Sequence, residues 1–237
     1  MVQHLDRGRD LLRAALAIAW KDLRIELRSK EMLSAMFLFS LLMVLAFRFG
    51  FEGSVDAGDV ALSDLGASSL WICFSFAAIV GMHTSFAKEK DRETLEGLLL
   101  CPVDRSSIFL GKVLSNMVLV FLVDLLSILF FSLFFAYDFE GNAIAVVGIA
   151  FLGTLSLVLV GTLVAAISVN ARAREVLLPV LLIPLIAFSV IIPSVSATRK
   201  AIAGDISEAV GEIQSILGFA VIFGAVGYLT FDYVLEG

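Results

Sequence analysis

The sequence predicts an all-α integral membrane protein, on the combined grounds of its composition, its long apolar runs and the charges of its loops. Of 237 residues, 59% are hydrophobic and 17% are charged, whereas soluble domains are near half apolar and a quarter charged. A small soluble fold could not bury this excess, because much of its surface stays in water. A bilayer removes the difficulty, since helices that face lipid are apolar on the outside too.

Six apolar runs are long enough to cross a membrane, which takes about 20 residues. The third run is interrupted by polar residues, and the fifth carries three prolines that are expected to kink it. The predicted spans are 32–51, 68–87, 107–136, 143–169, 176–195 and 213–235. The interruptions are Lys112, Asn116 and Asp124, and the prolines are Pro179, Pro184 and Pro193.

Loop charges predict the orientation of these spans. The N-terminal stretch and the connections after the second and fourth spans are rich in Lys and Arg, whereas 52–67 and 137–142 carry only acidic charges. Positive loops stay in the cytoplasm. The prediction is a multi-pass protein of the cytoplasmic (inner) membrane with both termini in the cytoplasm.

The chain divides into an N-terminal cytoplasmic segment with an interfacial helix, residues 1–31, and one six-helix transmembrane domain, residues 32–237. Between Asp10 and Lys30, apolar residues recur every three or four positions and basic residues lie opposite, which predicts an amphipathic helix on the lipid surface. A signal peptide is disfavoured, because charge breaks the apolar run. The apolar set is Leu12, Leu16, Ala19, Leu23 and Leu27, and the basic set is Arg13, Lys21, Arg24 and Arg28.

The coupling segment, residues 88–106, joins the second and third spans and begins with charges before becoming amphipathic. Its leucines cluster on one helical face, and Pro102 ends the helix. A short cytoplasmic helix of this kind can dock into a groove of a partner and pass a displacement to the spans. A solvated turn with leucines at the interface is the alternative.

The motif Thr-Leu-Glu-x-Leu-Leu-x-x-Pro, after an acidic and basic run, resembles the coupling helix of ABC-2-type permeases. The resemblance implies that a nucleotide-binding subunit grips this segment. The chain itself carries no Gly-x4-Gly-Lys-Ser/Thr phosphate loop, so ATP is expected only through the partner. The residues that carry the resemblance are Glu89, Arg92, Glu93, Thr94, Leu95, Glu96, Leu98, Leu99 and Pro102.

Three stretches, within 20–30, 70–90 and 95–112, are similar to the CcmB family of heme exporter proteins in cytochrome c biogenesis. This resemblance implies a CcmA-like ABC ATPase subunit, a CcmC-like heme-handling membrane partner, and heme as a transported or handled ligand. Asp124 and the mixed-charge stretch 198–212 depart from the family pattern. With two histidines and no zinc-type cysteine spacing, no metal centre or covalently bound cofactor is expected, and nothing predicts a nucleic-acid partner.

Three residues inside the spans are candidates for function. Asp124 is costly in a bilayer, so it is either a substrate, proton or gating contact, or it forms an interhelical hydrogen bond with Ser127 or a neighbouring serine. His83 is either an axial heme ligand or a solvated residue near the interface. Trp71 is interpreted as part of the interfacial aromatic belt.

Alternatives remain open from the sequence. An ABC-2 exporter of a drug or lipid would share most of these features, and a secondary transporter would use Asp124 and a proton gradient but should show inverted repeats. A non-transporting assembly scaffold is a third alternative. Small residues in the last three spans indicate either a homodimer seam or close packing within the chain. They are Gly153, Gly161, Ala165, Gly218, Gly224 and Gly227.

Overall fold

A computed structural model describes residues 2–53, 62–91, 104–135, 139, 142–168 and 174–234, and these residues are almost entirely helical. The fifth span is built from two helices joined by a π-helical turn, Ala187–Ile191, and a 3-10 turn, Ile206–Ala209, precedes the last helix. The helices are α1 (Val2–Ser29), α2 (Glu31–Gly50), α3 (Leu62–Asp91), α4 (Arg105–Phe135), α5 (Ala143–Ser168), α6 (Arg174–Ile186), α7 (Ile192–Ile202) and α8 (Val210–Val234).

The prediction of six membrane-spanning helices is confirmed by length and composition. The fifth span ends at Ile202 instead of residue 195, because Pro193 lies in the first turn of α7, where a missing N–H costs no helical hydrogen bond. The six spans are Glu31–Gly50, Asp64–Ser85, Arg105–Phe135, Ala143–Ser168, Pro179–Ile202 and Ile206–Phe231.

The fifth span accommodates its prolines by a change of helical geometry. Pro179 and Pro184 lie inside α6, and the π-helical turn ends two residues before Pro193. A proline ring pushes against the carbonyl four residues earlier and removes a donor. For Pro193 that carbonyl belongs to Ser189, inside the π-helical turn, and a wider turn is a common response. The Ser189 hydroxyl donates to the carbonyl of Leu185 at 2.5 Å, which supplies a donor within the distorted stretch.

The bundle has two ends, named here after one residue at each. At the Arg105 end, α2 and α4 begin and α3 ends; this is the predicted cytoplasmic side. At the Asp64 end, Arg48 of α2 forms an ion pair with Glu52 at 3.3 Å, and its Nε donates to the carbonyl of Phe134 at 3.2 Å. The arginine therefore binds α2 to the last turn of α4.

Most of the small residues proposed for a dimer seam are used within the chain. A Cβ added to three of these glycines would overlap a large side chain of a neighbouring helix, and a Cβ on Gly224 would only touch one. Gly218 faces open space. Close packing within one chain is therefore confirmed for four of the glycines, but not for Gly218. The contacts are Gly153 with Trp71, Gly161 with Met82, Gly224 with Leu159 and Gly227 with Phe109.

Candidate functional site

Helix α1 lies directly against the first turns of α4, immediately after the coupling segment. A Cβ on Gly111 of α4 would lie 2.8 Å from Ile18 Cβ and 2.9 Å from the backbone oxygen of Ala15. The Ile18 side chain and the Ala15 carbonyl pack directly on the backbone of α4 at this point, and glycine is the residue that permits such an approach. The contact places α1 against the helix that follows the coupling segment in the chain.

A buried ion pair reinforces the same contact. Lys112 Nζ lies 2.9 Å from Asp22 Oδ2, and Lys112 is only 1% exposed. Asp22 also has Lys21 Nζ at 3.1 Å from its other oxygen. A lysine inside an apolar bundle requires a partner of opposite charge. We call the set Ala15, Ile18, Asp22, Gly111 and Lys112 the α1–α4 clamp.

The clamp corrects the two-sided description of α1. Leu12, Leu16 and Leu27 are exposed, as expected for residues that meet lipid, but Ala19 of the predicted lipid face is buried in the bundle. The protein-facing side mixes two alanines and one isoleucine with two acidic residues, and the acidic residues break the apolar pattern that a search for periodicity detects. Its members are Ala15, Ile18, Ala19, Asp22 and Glu26.

The residues predicted to couple to an ATPase lie outside the part of the chain that the structure describes. Glu89 belongs to the last turn of α3, but its side chain is not described, and 92–103 are not described at all. The helices that flank them are described: α3 ends at Asp91 and α4 begins at Arg105. The roles of Arg92, Glu93, Thr94, Leu95, Glu96, Leu98, Leu99 and Pro102 stay predictions.

Asp124 lies at the centre of the bundle and is fully buried. The Thr154 hydroxyl of α5 donates to Asp124 Oδ2 at 2.6 Å, and within the described residues Oδ1 has no hydrogen-bond partner. An interhelical hydrogen bond is therefore confirmed, but to a threonine. Ser127, the partner suggested by sequence, instead forms a hydrogen bond with Ser40 of α2.

Trp71 is a core residue, so its assignment to the interfacial aromatic belt is wrong. Its exposure is 0%, its Nε1 donates to Thr198 Oγ1 of α7 at 2.8 Å, and its ring packs edge-on against Phe74. The indole lies over Gly153, which precedes Thr154 in α5. Because its polar atom finds a partner inside the bundle, it needs no water at the membrane surface.

The structure thus brings two of the three candidate residues to one place. Trp71 and Asp124 contact consecutive residues of α5, whereas His83 lies twelve residues beyond Trp71 along α3, about 18 Å away toward the Arg105 end. His83 is half-buried, and its Nε2 is enclosed without a hydrogen-bond partner among the described residues. Heme ligation by His83 stays a prediction.

Sequence reasoning missed the roles of Asp22, Lys112, Thr154 and Thr198. One signal was present: Lys112 interrupts an apolar span, and such a lysine predicts an acidic partner on a packed neighbour. The two threonines carried no comparable signal, since threonine is common in membrane helices and often bonds its own backbone.

The hydrogen bond at Asp124 makes a testable prediction about stability. Asp124→Asn keeps an acceptor for Thr154 and removes a charge, so the free energy of unfolding is expected to be unchanged or higher. Asp124→Leu leaves the buried Thr154 hydroxyl without its partner, at a cost of about 1 to 3 kcal/mol. Thermal unfolding in detergent measures both, and adding Thr154→Val to Asp124→Leu should recover most of the loss. An Asp124→Leu protein as stable as wild type would contradict this role of the bond.

Comparison with known proteins agrees with this architecture. The family model of the CcmB protein matches residues 13–233, a range that contains the clamp, all six spans and the Asp124–Thr154 contact. No curated protein sequence matches the chain significantly. The family match covers nearly the whole chain and implies a transmembrane permease of an ABC-type heme exporter in cytochrome c biogenesis. The chain therefore belongs to the CcmB family.

Proposed function

We propose that this chain couples ATP hydrolysis in a CcmA-like partner subunit to heme export, or to release of a heme chaperone, in cytochrome c maturation. In this proposal the Arg105 end faces the cytoplasm, both termini lie there, and a CcmC-like membrane partner handles heme. Family membership supports the heme-related role, and loop charge supports the orientation. The observation that carries the coupling is the α1–α4 clamp.

The clamp lies where a push from the coupling segment would arrive. That segment leads into α4 at Arg105, and Lys112 follows about two helical turns later. A hydrogen-bonded helix moves as a unit over so short a length. Displacement of the segment would therefore carry the first turns of α4, and the buried Asp22–Lys112 pair would carry α1 with them.

The same displacement would reach the centre of the bundle. The coupling segment connects α3, which contains Trp71, to α4, which contains Asp124, and both residues contact α5. A shift of α3 and α4 relative to α5 would change the Asp124–Thr154 hydrogen bond. We assign Asp124 the role of a gating contact between these helices.

Co-purification from the native membrane in mild detergent tests the proposal. An ATPase subunit is expected with the wild-type chain, and Glu93→Lys with Glu96→Lys should reduce its recovery at least tenfold, because the double change reverses the charge of the surface that would dock. Asp10→Lys is the control, since it reverses one exposed acidic residue of α1 outside the coupling segment. A chain that purifies folded but without any ATPase would overturn the proposal.

A proton-coupled secondary transporter is a second candidate, favoured by one observation. Asp124 is a fully buried acidic residue with one oxygen that has no described hydrogen-bond partner, and intramembrane acids often serve as proton sites. This candidate requires transport that continues without an ATPase and stops in Asp124→Asn. Transport that needs the ATPase and survives Asp124→Asn excludes it.

A further inference from the structure

The elbow between α1 and α2 is an unusual helix junction. Glu26 is buried at the end of α1, and its carboxylate accepts the backbone N–H of Leu33 at 3.0 Å. This bond satisfies a donor in the first turn of α2, as an N-cap residue would. Lys30, between the helices, has a φ of 56°, in the left-handed region that favours glycine or asparagine.

The lysine in this strained position suggests a use for its side chain. A glycine would adopt the same φ at no steric cost, and residues held in such conformations concentrate at functional sites. Lys30 is exposed. It lines the mouth of a groove together with Ser34.

The groove itself is apolar. It has a volume of about 240 Å³ and lies between the end of α1, the start of α2 and the middle of α4. Apart from Lys30 and Ser34, its walls are entirely hydrophobic side chains. They are Leu27, Leu33, Phe37, Leu122, Val123 and Leu126.

Exposed basic side chains outnumber exposed acidic ones around the elbow. Arg24, Arg28 and Lys30 are exposed; Glu26 is buried and accepts a backbone N–H, and Glu31, next to Lys30, is exposed. A second groove on α1, of about 380 Å³, combines Trp20 and Ile25 with three basic side chains. A helix of this composition sits among anionic headgroups, where each basic residue attracts the negative surface.

We propose that the elbow binds one anionic phospholipid, with its phosphate at Lys30 and Ser34 and an acyl chain in the groove against α4. A polypeptide segment would need hydrogen-bond partners for its backbone, and the groove offers two polar side chains. An acyl chain needs none, and a phosphate matches an ammonium and a hydroxyl. This site is independent of the proposed transport function and would fix the elbow from which the clamp helix α1 extends.

Titration of the detergent-purified protein with phosphatidylglycerol or phosphatidylcholine, read by native mass spectrometry, tests the proposal. Phosphatidylglycerol is expected to bind more tightly than phosphatidylcholine. Lys30→Gln should weaken its binding about fivefold, the change that corresponds to the attraction of one lysine for an anionic surface, and Lys30→Arg should retain it. Ser34→Trp, at an exposed position, should fill the groove and weaken binding at least tenfold.

Two controls separate the site from general effects. Arg13→Gln removes one exposed charge from the same helix away from the groove, and its phosphatidylglycerol affinity should stay within twofold of wild type. Lys30→Gly relieves the left-handed strain, so it should be at least as stable as wild type while losing the lipid. Equal binding of both lipids, or unchanged phosphatidylglycerol binding in Lys30→Gln and Ser34→Trp, would overturn the proposal. It would also fail if Lys30→Gln reduced recovery of the ATPase subunit and left lipid affinity unchanged.

Discussion

A single methyl group on Gly153 is expected to destabilise the bundle by about 3 kcal/mol, the sum of overpacking and one lost buried hydrogen bond. The added Cβ would overlap Cη2 of the Trp71 indole and lie 2.9 Å from Ser194 Oγ. Trp71 is fully buried and cannot move without releasing Thr198 from its Nε1. Thermal unfolding of the detergent-solubilised Gly153→Ala protein measures the effect.

A matched glycine on the same helix serves as control. Gly148 has no heavy atom within 4 Å of an added Cβ, so Gly148→Ala should be neutral or raise stability by up to about 1 kcal/mol through helix propensity.

A second test combines Gly153→Ala with Trp71→Phe, which replaces the clashing indole by a smaller ring. The double variant should be at least about 1 kcal/mol more stable than the sum of the two single effects predicts. Equal effects of the two glycine substitutions would show that Trp71 does not constrain position 153.

The six spans could be predicted from sequence because each is an apolar stretch long enough to cross a bilayer, a property that depends on its own residues and not on its neighbours. The error at the end of the fifth span arose because hydropathy does not record local helix geometry. Pro193 was expected to kink the span two residues before its predicted end at 195, but it follows the π-helical turn in the first turn of α7, and the helix continues to Ile202. The location of such a turn depends on packing that periodicity does not record.

The interior of the bundle was much less predictable, because burial depends on which helices become neighbours. Trp71 has the composition expected of a belt residue, yet Gly153 of α5 opens a space for its ring and Thr198 of α7 accepts its N–H. The two partners lie 82 and 127 positions away along the chain. No local pattern connects residues at such separations.

Asp124 and Lys112 illustrate an intermediate case. The cost of a charge in the bilayer predicts that each has a partner, and each does. Which partner it is follows from the packing of α4 against α5 and α1, and so could not be read from spacing. The cost of a buried charge predicts that Asp124 and Lys112 have partners, and the structure identifies these partners as Thr154 and Asp22.

Breaking the clamp is expected to have the second large effect. Lys112→Met removes the buried one of the two cations beside the largely buried Asp22 carboxylate, and loss of one member of a buried pair costs about 3 kcal/mol or more. Asp22→Leu should cost a similar amount. In the double variant both charges are gone, and apolar residues of similar size replace such pairs at little cost, so it should be more stable than either single variant. Thermal unfolding gives the three values of this cycle.

Lys21 provides the control within the same ion cluster. Its Nζ lies 3.1 Å from Asp22, but its side chain is 40% exposed, and exposed pairs contribute less than about 1 kcal/mol. Lys21→Met should therefore change stability far less than Lys112→Met, although each removes one cation from the same carboxylate. The double variant Asp22→Leu/Lys112→Met regains stability but has no ionic link between α1 and α4. The change that this chain causes in the ATPase activity of the partner subunit should therefore be smaller with the double variant than with wild type. Equal effects of the two lysine substitutions would mean that burial does not strengthen the pair, and α1 would then lack the firm attachment that coupling through the clamp requires.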